Sequence, residues 1–165
     1  MDQLQNKRQH LLQGLAALGD LGSQSWNAEH VMTRNPICTL PTTTAYELVQ
    51  IFHARQFRHL LVADVDHRLV GVVSDRDVLR CFRLGSAPER EELERICVAQ
   101  LMSHDVITIE PQTPLAEAVT IMLTHGINCL PVVSDGKLAG ILTSTDFYLV
   151  LEHLLSKGVG PAVAT

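Results

Sequence analysis

Two seven-residue stretches, GVVSDRD at Gly71–Asp77 and GILTSTD at Gly140–Asp146, lie 69 positions apart (140 − 71). Each ends in a hydroxyl residue followed three positions later by an aspartate, as Ser74-x-x-Asp77 and Thr143-x-x-Asp146. Two chemistries fit this spacing. A hydroxyl at a helix start accepts from a backbone N–H, and an acid three residues on complements the positive helix end, as in a capping box. A carboxylate at an exposed helix start can also accept from both hydroxyls of a ribose, while the neighbouring hydroxyl and free amides suit a phosphate or ribose oxygen. Capping boxes favour the longer Glu or Gln, whereas both copies here use Asp. The two roles are compatible, and both stay open.

Other chemistry finds no footing. The eight histidines show neither HExxH nor Cys–His metal spacing, no serine is framed as GxSxG, and no GxxxxGK[ST] or GxGxxG follows a strand. Asp75 beside Asp77 reads as a cap and a solvated charge, not as an acid–base pair or a Mg²⁺ site. The expectation is a binding module, not an enzyme. A net charge of −5 gives no field that would gather nucleic acid or an anionic membrane surface. The opening MDQLQNKRQH lacks the apolar stretch of a signal peptide, and no apolar run approaches the ~20 residues needed to span a bilayer. These features imply a soluble cytoplasmic protein. Cys38, Cys81, Cys97 and Cys129 show no CxxC pairing and read as reduced core thiols.

The elements that position the two aspartates come in duplicate. Val31–Phe82 laid over Leu101–Leu151 matches Met32 with Met102, Thr39 with Thr108, Pro41 with Pro111, Glu47 with Glu117, and Gly71 with Gly140. Each copy opens with a short β-like run, Ile37–Leu40 or Val106–Ile109. A helix follows, with Thr43 or Thr113 as N-cap, Pro114 as first helical residue in the second copy, and apolar positions Ala45, Leu48, Val49, Phe52 and Leu115, Ala118, Val119, Met122 on one face. Two apolar strands come next, Leu60–Ala63 with Leu69–Val73 and Pro131–Val133 with Leu138–Leu142, then a second helix near residues 76–84 and 145–156.

The fold class is therefore α/β (α+β), two β-α-β-β-α repeats each too small to be stable alone, packed as a pair with an approximate twofold axis. The organisation reads as an N-terminal helix and linker (1–27), repeat 1 (28–84), a linker helix (85–100) that Ser86–Glu89 starts and EREELERI fills, repeat 2 (101–156) and a tail (157–165). Leu4, Leu11, Leu12, Leu15 and Leu18 make a stripe on the N-terminal helix, which Gly19 or Gly22 ends. That stripe and the apolar Phe147–Leu155 helix ask for a partner, such as a second copy of the chain.

Phe57–Arg80 and Gly126–Phe147 resemble the two halves of a CBS-domain pair, the regulatory module named after cystathionine β-synthase and also called a Bateman module. The resemblance covers Ala28 to Leu155. It implies a disc-like pair, often dimerised, with clefts for adenosine-type ligands: AMP, ADP, ATP, S-adenosylmethionine or NAD(H). It assigns the ribose to Asp77 and Asp146, aided by Ser74 and Thr143. It places phosphate contacts just before the second strand, at Arg58 and His59 in one copy and at Asn128 and Cys129 in the other. Arg58 is a permanent cation and His59 a donor, while the second pair lacks charge, so the copies should differ in their grip on phosphate. Thr39, Thr108 and Pro131 complete the expected contact set. A homodimer is implied, with an unidentified protein target as a further partner. The alternative reading is a dimerisation or interaction module that binds no ligand.

Overall fold

A computed structural model describes residues 2–17, 26–82 and 87–156. In chain order the elements are α1 (Asp2–Ala17), α2 (Ala28–Val31), β1 (Thr33–Arg34), β2 (Cys38–Thr39), α3 (Ala45–Arg55), β3 (His59–Ala63) and β4 (Leu69–Ser74). There follow α4 (Asp75–Leu79), α5 (Arg90–Glu94), a 3-10 turn at Val98–Gln100, α6 (Leu115–His125), β5 (Cys129–Ser134), β6 (Lys137–Thr143) and α7 (Ser144–Ser156). Leu18, Gly19, Gly22, Ser86, the 157–165 tail and the side chains of Leu4 and Leu15 lie outside the described residues.

The two long central helices form where the apolar spacing places them, but their caps differ from expectation. Thr44, not Thr43, starts α3: its hydroxyl accepts from the Glu47 N–H at 3.2 Å, and Glu47 accepts in return from the Thr44 N–H at 2.8 Å. These bonds hold the Glu47 carboxyl below its ordinary range. Thr43 instead lends its carbonyl to the Val98 N–H at 2.8 Å. Pro114, not Thr113, is the N-cap of α6, and the Thr113 hydroxyl turns back to the Glu110 N–H at 3.1 Å. Both helices end at a left-handed residue, Gln56 and Gly126.

The chain divides into two units that do not follow the sequence repeats. One comprises residues 1–34, 109–132 and 140–165, the other residues 35–108 and 133–139. In the second unit β2 pairs parallel with β3 and β3 antiparallel with β4, and Ser103 adds an antiparallel bridge to Val72 through N–H···O contacts of 2.9 and 3.1 Å. Leu48 and Phe52 of α3, Leu60 and Val62 of β3, Val73, Val78 and Val98 form its core. The linker helix is shorter than EREELERI suggests, five residues, with Leu93 buried and the Arg90 guanidinium 4.6 Å above the Tyr46 ring. In the first unit the sheet order is β1-β6-β5, with β1 antiparallel to β6 and Ile109 bridged in parallel to Val132. Leu115, Ala118, Met122, Leu130, Leu142, Leu149 and Val150 are buried there. Of the expected strand Val106–Ile109 only that Ile109 bridge forms, because the Val106 N–H turns back to the His104 carbonyl.

Each sheet brings a glycine against a methionine. A Cβ at Gly71 would stand 2.6 Å from the Met102 sulfur and 3.0 Å from the Ser103 carbonyl oxygen; one at Gly140 would stand 2.6 Å from the Met32 sulfur and 2.9 Å from the Thr33 oxygen. The methionine leading each sequence copy thus packs on the glycine of the other copy, and the residue after it pairs with that copy's last strand. The contact of Met32 and Thr33 with Gly140 joins residues 1–34 to 140–165 within one unit.

Candidate functional site

Ser74 closes β4 and Thr143 closes β6, so each hydroxyl stands where a strand gives way to a helix, the aspartate one turn in. Extended backbone at Ser74 (φ −118°) frees the first helical amides for side-chain partners. The Asp77 Oδ2 accepts from the Ser74 N–H at 2.8 Å and from its hydroxyl at 2.6 Å, while the Ser74 oxygen faces the Asp77 N–H at 3.3 Å. Among the described residues the partner of Oδ1 is the Arg80 guanidinium, 3.4 Å away on a side chain that is 78% exposed. The capping box expected for this copy is formed, and one carboxylate oxygen is left over from it.

The second copy repeats the two bonds onto the carboxylate but not the surroundings. The Asp146 Oδ2 accepts from the Thr143 N–H at 2.7 Å and its hydroxyl at 2.8 Å. Far from lying at an exposed helix start, Asp146 is wholly buried, at 0%. Its Oδ1 has Lys7 Nζ of α1 at 3.0 Å as an ion pair, but no hydrogen bond is aligned onto that oxygen. Lys7 also donates to the Thr143 hydroxyl at 2.9 Å. Burial pushes the Asp146 carboxyl above its ordinary range, opposed by Lys7 and by the Thr143 bonds.

The residues ahead of β3 and β5 differ as their types suggest. His59 stands opposite Ser74 in the β3–β4 register, and the Arg58 carbonyl accepts from the Asp75 N–H at 3.1 Å. These bonds bring Arg58, His59, Ser74 and Asp77 to one end of a sheet. The Arg58 guanidinium is exposed and 3.6 Å from Asp75. Burial holds the His59 imidazole below its ordinary value, so at neutral pH it is a neutral donor or acceptor, and Arg58 carries the positive charge. In the second copy Asn128 is exposed, its carbonyl accepting from the Ser144 N–H at 3.1 Å, and Cys129 is buried, its thiol pushed up to about 11.

The remaining candidates are more dispersed. Thr39 is buried on β2, in register with Val62, and lines an open groove of about 570 Å³ together with Thr43, Glu47 and Arg55. Thr108 is exposed on the irregular stretch before Ile109, and Pro131 is buried with its carbonyl accepting from the Ile109 N–H. Lys7 and Arg80, the cations that meet the two aspartates, escaped the sequence reading. Arg80 could have been found from its i, i+3 spacing to Asp77; Lys7 lies 136 residues from Thr143, and no local pattern points to it. The four cysteines are free; Cys129 is buried, while Cys38, Cys81 and Cys97 are half-buried and so are not the core thiols expected. No group of three or more His, Cys, Asp or Glu suited to a metal occurs among the described residues.

Two sequence copies each bring a hydroxyl residue, with an aspartate three positions on, to the end of a strand in a tandem α/β fold. The model of the CBS domain matches residues 28–84 and 98–153, and the chain belongs to that family, with two copies. It is 33% identical to a Vibrio cholerae structure named as an acetoin utilization protein (AcuB), over 81% of this chain and 96% of that one, at a TM-score of 0.71. It is 28% identical to CBSX2, crystallised in complex with AMP, over 80% of this chain and 98% of that one, at a TM-score of 0.66. Protein MK0525 of Methanopyrus kandleri is 30% identical over 135 residues, 81% of this chain. The chain spans 66% of MK0525 and 41% and 22% of the next two curated relatives. Among the described residues no helix is long and apolar enough to cross a membrane.

Proposed function

We propose that the chain is a regulatory sensor that binds an adenosine ligand, of the AMP, ADP or ATP kind, at the Asp77 copy and catalyses nothing itself. One observation carries this reading: the Asp77 carboxylate uses a single oxygen for its cap and keeps Oδ1 for a further partner, its side chain still 13% exposed. A ribose hydroxyl can take that oxygen without breaking the cap, and the solvent-exposed Arg80 can yield it. Neutral His59 and cationic Arg58 at the same sheet end suit a phosphate. The AMP held by CBSX2 supports an adenosine nucleotide as the ligand class; S-adenosylmethionine and NAD remain within that class. The ligand acts by favouring one of two arrangements of the protein or of its subunits. Four free thiols support a reducing, intracellular compartment.

A second reading, an interaction module without ligand, draws on one face of α7, where Tyr148, Leu151 and Leu155 are 68%, 53% and 61% exposed. Thermal denaturation separates the two. Ligand at a hundred times its dissociation constant adds about 2.7 kcal/mol of stability, so AMP, ADP, ATP, S-adenosylmethionine and NAD are each tested at millimolar concentration. Asp77→Asn should weaken binding by roughly tenfold or more, because a charge-assisted bond and one oxygen acceptor are lost. Its melting temperature without ligand should barely move, since Asn caps well. No shift with any of the five compounds leaves the interaction module as the function.

A further inference from the structure

The two aspartates carry the same pair of bonds from their hydroxyl residues, yet their second oxygens face opposite situations. At Asp77 the cation is a solvated arginine at 3.4 Å. At Asp146 it is Lys7, delivered by a helix from outside the repeats, with its ammonium 3.0 Å from the carboxylate and 2.9 Å from the Thr143 oxygen. Since the Thr143 hydroxyl already donates to Asp146 Oδ2 at 2.8 Å, its oxygen is free to accept from Lys7, and the three groups close into one hydrogen-bonded chain. Lys7 therefore engages both groups that a ribose would address. We propose that α1 is a built-in occupant of the second repeat: Lys7 holds the Asp146 carboxylate closed, and this repeat takes an adenosine ligand only when α1 lifts away. The ligand class rests on the function proposed above; the occupancy by Lys7 does not.

The way α1 is held fits a removable plug. It packs on α2 and α7. Leu11 is 1% exposed, and Leu12, one position on, is 39% exposed. The second tie, Arg8 to Glu152 at 3.1 Å, joins two half-exposed side chains, and such surface pairs contribute little. The buried pair is different in kind. A carboxylate with no exposure needs a compensating cation, and removing that cation while the carboxylate stays buried is strongly unfavourable. Loss of Lys7 is therefore relieved by α1 leaving and water or ligand reaching Asp146. Burial alone raises the Asp146 carboxyl and Lys7 opposes the rise, in keeping with this dependence.

The test uses the full chain, with AMP as probe, in calorimetric titration and native mass spectrometry. The wild type should bind one AMP per chain and Lys7→Met two. Asp77→Asn should bind its one AMP roughly tenfold or more weakly than wild type, and Lys7→Met with Asp77→Asn should bind one AMP at the second repeat and one that is weakened in the same way. The first site's affinity in Lys7→Met should stay within about twofold of wild type, as for independent sites. Circular dichroism confirms the fold, and Lys7→Gln, which keeps a donor for Thr143, serves if Lys7→Met does not fold. Amide hydrogen exchange over residues 2–17 reads the plug without any ligand: protection in the wild type should fall by about tenfold or more in Lys7→Met. Two AMP per wild-type chain, or one per Lys7→Met chain with α1 released, overturns the proposal. AMP bound by no variant defeats the adenosine reading; the occupant claim is then decided by exchange, and equal protection of α1 in both proteins overturns it.

Discussion

Replacing Gly71 by alanine tests the strand exchange at its tightest point. The added methyl would meet the Met102 sulfur at 2.6 Å, Met102 Cγ at 2.9 Å and the Ser103 carbonyl oxygen at 3.0 Å. The thioether is flexible and can swing aside, at the expense of its packing. The carbonyl is less free, because Ser103 is bonded to Val72 in both directions, at 2.9 and 3.1 Å. Relief must therefore come from displacing a backbone bridge or from losing the methionine contact. Insertion of a methyl into such a contact costs about 1–3 kcal/mol. For a chain of this length about 2 kcal/mol lowers the melting temperature by roughly 4–8 °C. Gly140→Ala should do the same, since its neighbours are Met32 and Thr33 at nearly the same distances.

Denaturation of Gly71→Ala, Met102→Ala and the double variant by urea apportions the cost. If the sulfur is the main obstacle, the double variant is more stable than the sum of the single losses predicts. If the Ser103 carbonyl dominates, the losses add. Gly71→Ala within about 0.5 kcal/mol of wild type, the range of ordinary surface changes, would refute the claim that this glycine is required by close approach.

Two further predictions concern titration and assembly. His59 has a folded pKa below its ordinary 6.5, so the unfolded chain binds more protons as pH falls; stability is full above that value and is lost as pH drops through it toward the folded one. Wild type should lose more stability than His59→Gln between about pH 7.5 and 5.5, and equal losses in urea midpoints would contradict the burial argument; this pairwise comparison cancels Asp146, whose raised carboxyl acts in the opposite sense. The exposed Tyr148, Leu151 and Leu155 face of α7 should join two copies, so light scattering should give about twice the 18.2 kDa chain mass and Leu151→Glu should halve it. A wild-type monomer at micromolar concentration would dismiss the dimer.

Much of the architecture was legible because burial imposes a period on it. Ala45, Leu48 and Phe52 are buried, as are Leu115, Ala118 and Met122, at the helical spacing the sequence shows. The strands were legible from short apolar runs between turn residues, the second pair joined by Asp135-Gly136, both with positive φ. The misplaced cap of α3 was recoverable: three threonines stand in a row, and only Thr44 has Glu47 three positions on. The exchanged segments were not recoverable this way, since Thr33–Arg34 and Ser103 pair over too few residues to impose a period. The burial of Asp146 was illegible for the same kind of reason. Whether a carboxylate meets water or an ammonium depends on a helix more than a hundred residues away.

The exchange of leading segments bears on where a duplicated chain of this kind comes from. Gly71 and Val72 need Met102 and Ser103, and Gly140 and Ile141 need Met32 and Thr33. A molecule holding a single copy would have a last strand with bare hydrogen-bonding groups and a glycine groove with nothing in it. Two such molecules could satisfy each other reciprocally, each lending its methionine, as protomers do in a swapped dimer. Such a dimer dissociates on dilution, whereas tethering the partners end to end replaces the protein's own concentration with a fixed effective one. Fusion also frees the halves to diverge: once both are encoded separately, one aspartate can acquire a lysine from a leading helix while its twin keeps an arginine it can release.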